Sequence, residues 1–208
     1  MPARLSHRFR LSRAARRLKS RLFSETGGSQ LVEFAVSLPL LVFLTVGIFD
    51  FGSAYTVKEK LAGMAQEAAR IGAAQPEGDL SYTSGDCTQL VAVCAVRDVV
   101  DHHLVSAHMD DCGLSGAAPA YAGNLTWTFT TQGGCPANLV LTINRGFTST
   151  TSLANPFNTG RYTIEMTKVT LSYSYRWQFG KVVGLVSPGS TFAGVSQITS
   201  TAVMQNLY

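Results

Sequence analysis

The chain carries no Walker loop, no dinucleotide fingerprint, no nucleophile motif, and neither an H-E-x-x-H nor a Cys/His zinc spacing. Each of those patterns puts particular side chains where a phosphate, a cofactor or a metal needs them. Without them the sequence offers no catalytic residue, no cofactor-binding residue and no metal ligand set, and no enzyme activity is expected. His102, His103 and His108 lie among Asp98, Asp101, Asp110 and Asp111. On a helix, though, His103 shares a face with Val99 and Val100 while Asp98, Asp101 and His102 crowd the opposite one, so the group reads as a solvated helix end. Basic residues are also scarce over most of the chain. Eight of the 17 lysines and arginines, but only one of the 13 acids, fall in residues 1–28. The net charge of +4 therefore belongs to the leader, and the rest, with nine basic and twelve acidic residues, offers no basic face to nucleic acid.

What is present is a basic leader followed by an apolar run over residues 31–51. A bilayer core takes about 20 apolar helical residues, so the run is long enough to span it. By the positive-inside rule residues 1–28 stay cytoplasmic and the C-terminal part is translocated, with Lys58 and Lys60 the only local counter-signal. A secretory signal peptide is the first alternative. Its apolar region is usually about 7–15 residues and ends in a small-x-small cleavage site, and this run is longer and lacks that site. An uncleaved signal anchor is the second. Glu33 lies just inside the run, where a charge costs at least about 2.5–3.5 kcal/mol and calls for a partner. Pro39 removes one helical N–H and should kink the segment. Asp50, near the outer end, reads as a carboxylate at headgroup level.

Four motifs follow one another in this region: Gly28-Ser29-Gln30-Leu31-Val32-Glu33-Phe34-Ala35, Leu38-Pro39-Leu40-Leu41, Gly47-Ile48-Phe49-Asp50-Phe51-Gly52 and Ala68-Ala69-Arg70. Together they resemble the TadE-like signature, over about a quarter of the chain. The junction Gly28–Ser29, with Glu33-Phe34 beyond it, resembles the processing site of type IV prepilins of the Flp/Tad branch, whose peptidase cuts after Gly and before a Glu–aromatic pair. The resemblance implies a pseudopilin or minor pilin of a tight-adherence pilus. Its implied partners are the lipid bilayer, Flp-type pilins, the inner-membrane assembly platform and a prepilin peptidase. It implies Gly28, Ser29, Glu33 and Phe34 as the processing site, and Glu33 and Pro39 as helix and assembly residues. The implied location is the bacterial inner membrane, with the C-terminal domain periplasmic. A membrane-anchored periplasmic binding module, never cleaved, is the competing function, and cleavage at Gly28–Ser29 separates the two.

The expected organisation is a leader over residues 1–28, a transmembrane and extended helix over 29–76, and an α+β domain over 77–208. Ala54, Val57, Leu61, Met64, Ala68 and Ile71 repeat at spacings of three and four, a seam that fits either a partner helix or the chain's own domain. Gly72, Gln75-Pro76 and Gly78 are expected to end the helix. A helical stripe follows over 88–107, a turn-rich stretch over 110–123, and a hairpin from 125–129 and 139–143. A loop over 155–160 precedes a long alternating strand over 162–179. An apolar loop over 180–194, tucked in or exposed as a contact patch, leads to a last strand over 197–205. Cys87, Cys94, Cys112 and Cys135 all fall in the translocated part, and an even count there reads as two disulfides. Three pairings are possible. If residues 88–94 are helical, Cys87 and Cys94 lie about 10 Å apart along the axis, beyond the reach of a bridge.

Overall fold

The computed structural model describes residues 26–78, 80–83, 85–155, 158–180, 189 and 194–207. Residues 1–25 of the basic leader and nearly all of the apolar loop expected over 180–194 lie outside the described residues. The chain divides into two compact units, one ending at Phe49 and the other running Asp50–Tyr208.

The first unit holds the opening half of helix α1, which spans Thr26–Ala74. Leu31, Phe34, Leu40, Leu41 and Ile48 are all exposed there. The hydroxyls of Ser37 and Thr45 donate back to the carbonyls of Phe34 and Leu41, so neither depends on water. The helix runs on through Pro39.

The second unit is α+β. In the later part of α1, Leu61, Met64, Ala65, Ala68, Ala69 and Ala73 are buried, and Val57 packs against the same core. The seam read from the sequence is thus an intramolecular face, widened by alanines into a stripe of the kind a surface helix lays on its own core. Gly72 does not end the helix. A Cβ at that position would come within 2.9 Å of the Thr167 Cγ2 and 3.2 Å of the Val96 Cγ2. Glycine lets α1 lie close on its neighbours.

Helix α2, Val91–Ser106, buries Ala92, Val93, Cys94, Val96, Val100 and Leu104. It starts three residues later than its apolar spacing suggests because the Asp86 carboxylate accepts the backbone N–H of Thr88 at 3.0 Å. That local bond holds residues 86–89 in a turn. A short 3-10 turn, Leu114–Gly116, follows.

Five strands complete the unit: β1 Pro119–Gly123, β2 Thr126–Thr130, β3 Val140–Asn155, β4 Asn158–Arg176 and β5 Val195–Gln205. Their order in the sheet is their order in sequence, and every pairing is antiparallel. Trp127, Phe129, Leu141, Ile143, Val169 and Leu171 are fully buried on one face, in a single core with Leu61, Val93 and Val100 of the two helices. The alternate positions carry a polar ladder, with Thr170 paired to Thr201 and Ser172 to Thr199. This is the division of faces expected of a sheet covered on one side.

Two expectations fail here. The stretch over 110–123 ends in strand β1, whose Pro119, Ala120 and Gly123 give no alternation to read. The loop expected over 155–160 is paired strand on either side of residues 156–157, as far as Asn155 opposite Asn158. A run rich in threonine favours extended backbone without an apolar alternation to announce it.

Candidate functional site

Gly28, Ser29, Glu33 and Phe34 all lie in the exposed opening of α1. The Gly28–Ser29 junction falls in the opening stretch of the described helix, Thr26–Ala74. Ser29 and Glu33 are one turn apart on the same face, about 6 Å along the axis. Pro39 lies between this turn and the rest of the segment.

At the start of the second unit stands a carboxylate whose role the sequence reading missed. Asp50 is not solvated: it is buried, 6% exposed. Its Oδ1 accepts the backbone N–H of Gln178 at 2.9 Å and its Oδ2 that of Phe179 at 3.2 Å. The Tyr175 hydroxyl lies 3.5 Å from the Asp50 carbonyl oxygen as a donor. Burial and the Asp50 charge push the Tyr175 phenol up from its ordinary range, while a hydrogen bond with Ser53 pulls the other way. The Phe51 and Trp177 rings meet edge to face at 5.5 Å, and Trp177 meets Tyr175 at 5.3 Å. The signal was available: a charge flanked by Phe49 and Phe51 at the end of an apolar run needs a partner, as Glu33 does.

The other end of α1 is held by Arg145, 1% exposed. Its guanidinium donates from Nη1 to the Pro76 carbonyl at 3.1 Å and from Nη2 to the Gln75 carbonyl at 2.7 Å. A cation there satisfies orphan carbonyls and opposes the negative end of the helix dipole. The β3–β4 register shifts between Asn144 and Phe147; such a bulge re-aims a side chain, and Arg145 lies within it. The C-terminal tail adds a further tie, with the Leu207 N–H donating to the Ala73 carbonyl at 3.1 Å. Asn206 takes the Thr167 hydroxyl at 2.7 Å.

Both disulfides are formed. Cys112 pairs with Cys135 and Cys87 pairs with Cys94, the latter with Cα atoms 5.5 Å apart. The second pair overturns the expectation that Cys87 and Cys94 bond elsewhere. Because α2 begins only at Val91, Cys87 sits in the preceding turn, and the chain folds back instead of rising along an axis. His102 and His108 are exposed and His103 is half-buried, with the His102 and His103 rings 6.5 Å apart. Among the described residues, one group has three side-chain ligand atoms within 4.8 Å of each other: Asp110, Cys112 and Cys135. Its two sulfurs are bonded to one another.

One helix of bilayer length and apolarity, leading into a disulfide-stapled α+β unit, is the build of a membrane-anchored protein with a folded head. The family model described as TadE-like protein matches residues 28–70, so the TadE-like resemblance holds over the apolar segment and the helix beyond it. That family ties the segment to a Tad/Flp pilus system and to a membrane. No curated protein matches the chain, and no solved structure does.

Proposed function

We propose that this chain is a pseudopilin or minor pilin that takes part in assembling a Flp/Tad-type pilus used for adhesion. The observation that carries this reading is the place where the TadE-like match opens, at Gly28, beside the junction a prepilin peptidase would cut. Residues 1–28 stay in the cytoplasm as a leader, α1 anchors the chain in the inner membrane, and the disulfide-bonded unit lies in the periplasm. Cutting needs an extended peptide, and glycine resists helix by about 0.8–1.0 kcal/mol relative to alanine. The Gly27-Gly28 pair therefore makes local unwinding inexpensive. The chain acts by binding and not by chemistry, with Flp-type pilins and the assembly platform as partners.

Intact-mass measurement of the protein from cells with an active prepilin peptidase tests this reading. The expected mass is that of a chain starting at Ser29, and Gly28→Ala should slow or stop its appearance. A protein that keeps residues 1–28 in such cells would instead be an uncleaved anchored binding module.

A further inference from the structure

We propose that the end of the sheet next to Asp50 rests in the headgroup layer of the bilayer. The proposal depends on the first half of α1 spanning that bilayer. The apolar run covers residues 31–51, roughly 30 Å at 1.5 Å per residue, which matches a hydrocarbon core of about 30 Å. The boundary then falls at Asp50 and Phe51.

Those two residues hold the end of β4. Asp50 accepts two successive N–H groups, from Gln178 and Phe179, and Phe51 meets the Trp177 ring. Strand β4 runs antiparallel to α1 between two fixed points: Thr167 lies against Gly72, and Gln178 is bonded to Asp50. The 22 helical steps between Gly72 and Asp50 cover about 33 Å. The nine steps from Thr167 to Arg176, the last residue of β4, cover about 30 Å when extended, and Gln178 follows in the turn beyond. Strand β4 therefore ends beside Asp50 and Phe51, the residues at which the apolar run closes.

The side chains at that level suit an interface. Phe51 is 59% exposed and Tyr55 65%, and Phe179 and Val195 are also exposed. Trp177 is half-buried, its Nε1 donating to the Ser196 hydroxyl at 2.8 Å, and an indole is a side chain enriched at headgroup depth. Arg176, exposed beside it, is a cation for lipid phosphate. In such a place the Asp50 carboxylate, turned inward onto backbone N–H groups, adds no exposed negative charge.

Trp177 reports on this directly, because the only other tryptophan, Trp127, is fully buried. The full chain is reconstituted in mixed phosphatidylcholine and phosphatidylglycerol vesicles whose acyl chains are brominated either near the headgroup or near the chain end. The expected result is a loss of emission with the shallow label that exceeds the loss with the deep one. That loss should disappear in Trp177→Phe and weaken in Asp50→Ala. Resistance to carbonate extraction, read on the same sample, establishes separately that α1 is inserted. Inserted protein whose Trp177 is quenched by aqueous iodide and not by bromolipid would overturn the proposal. So would a Trp177 shielded from both, which would mean that protein covers this end.

Discussion

The Arg145 guanidinium donates to the Gln75 carbonyl at 2.7 Å, joining positions 70 residues apart in sequence. With the second bond, to Pro76, it closes the C-terminus of α1 from inside the core. Hydrogen bonds from a charged group contribute about 1.5–3 kcal/mol each, and buried partners left unmade cost about 1–3 kcal/mol. Arg145→Met should therefore lower unfolding stability by several kcal/mol. Arg145→Lys should recover little of it, because a single ammonium does not reproduce a fork that reaches two carbonyls. Denaturant unfolding of the full chain in detergent checks both.

The two disulfides should differ in weight. By loop-closure entropy, a bridge across 23 residues stabilises by about 3 kcal/mol and one across seven by about 2 kcal/mol. The double substitution Cys112→Ala with Cys135→Ala should thus shift the unfolding midpoint further than Cys87→Ala with Cys94→Ala. Alkylation of the unfolded but unreduced protein should label no thiol. Labelling of two or more per chain would count against a periplasmic location for this unit.

A pH dependence comes from Asp101. Burial pushes its carboxyl up from the ordinary carboxylate range, a hydrogen bond with Asp111 and the charges of Asp111 and Asp98 add to the rise, and Arg97 opposes it. The folded state then holds this proton more tightly than the unfolded chain does. This contribution is full below the ordinary carboxylate value and is lost as pH rises through the raised folded value. Asp101→Asn should accordingly raise the melting temperature at neutral pH, and the gain should vanish in acid. A gain equal at both pH values would point to packing and not to titration.

How much of this was legible in the sequence differs between the two units. The apolar run and the strand over Val169, Leu171, Tyr173 and Tyr175 are local patterns, and each can be read from its own composition or period. The Gly72 contact, the Arg145 cap and the Asp50 bonds join residues that are far apart in the chain, and no local period encodes them. Arg145 left a partial trace: Asn144-Arg145-Gly146 interrupts the alternation of its strand, which is what a bulge does. The Cys87–Cys94 bridge was misread through a helix start placed three residues too early. Whether the α1 seam faces its own domain was open because three- and four-residue spacing serves both uses.

The central claim concerns Glu33. The proposed cut after Gly28 would give Ser29 an α-amino group, charged below its pKa of roughly 7.7–8.0. Glu33, one turn away, can pair with it in the same chain or with the Ser29 amine of a neighbouring subunit. Charge pairing strengthens as water is excluded, so either arrangement reduces the cost of placing Glu33 in a membrane. The intermolecular pair also fixes the axial offset between subunits. The most direct measurement is piliation and surface adhesion in cells carrying Glu33→Gln, with protein level, membrane insertion and processing followed in parallel. The account predicts a protein made, inserted and cut much as before, in cells that fail to assemble the pilus or to recruit this subunit to it. Normal pili and normal adhesion at a normal protein level would contradict it, leaving α1 as an anchor and nothing more.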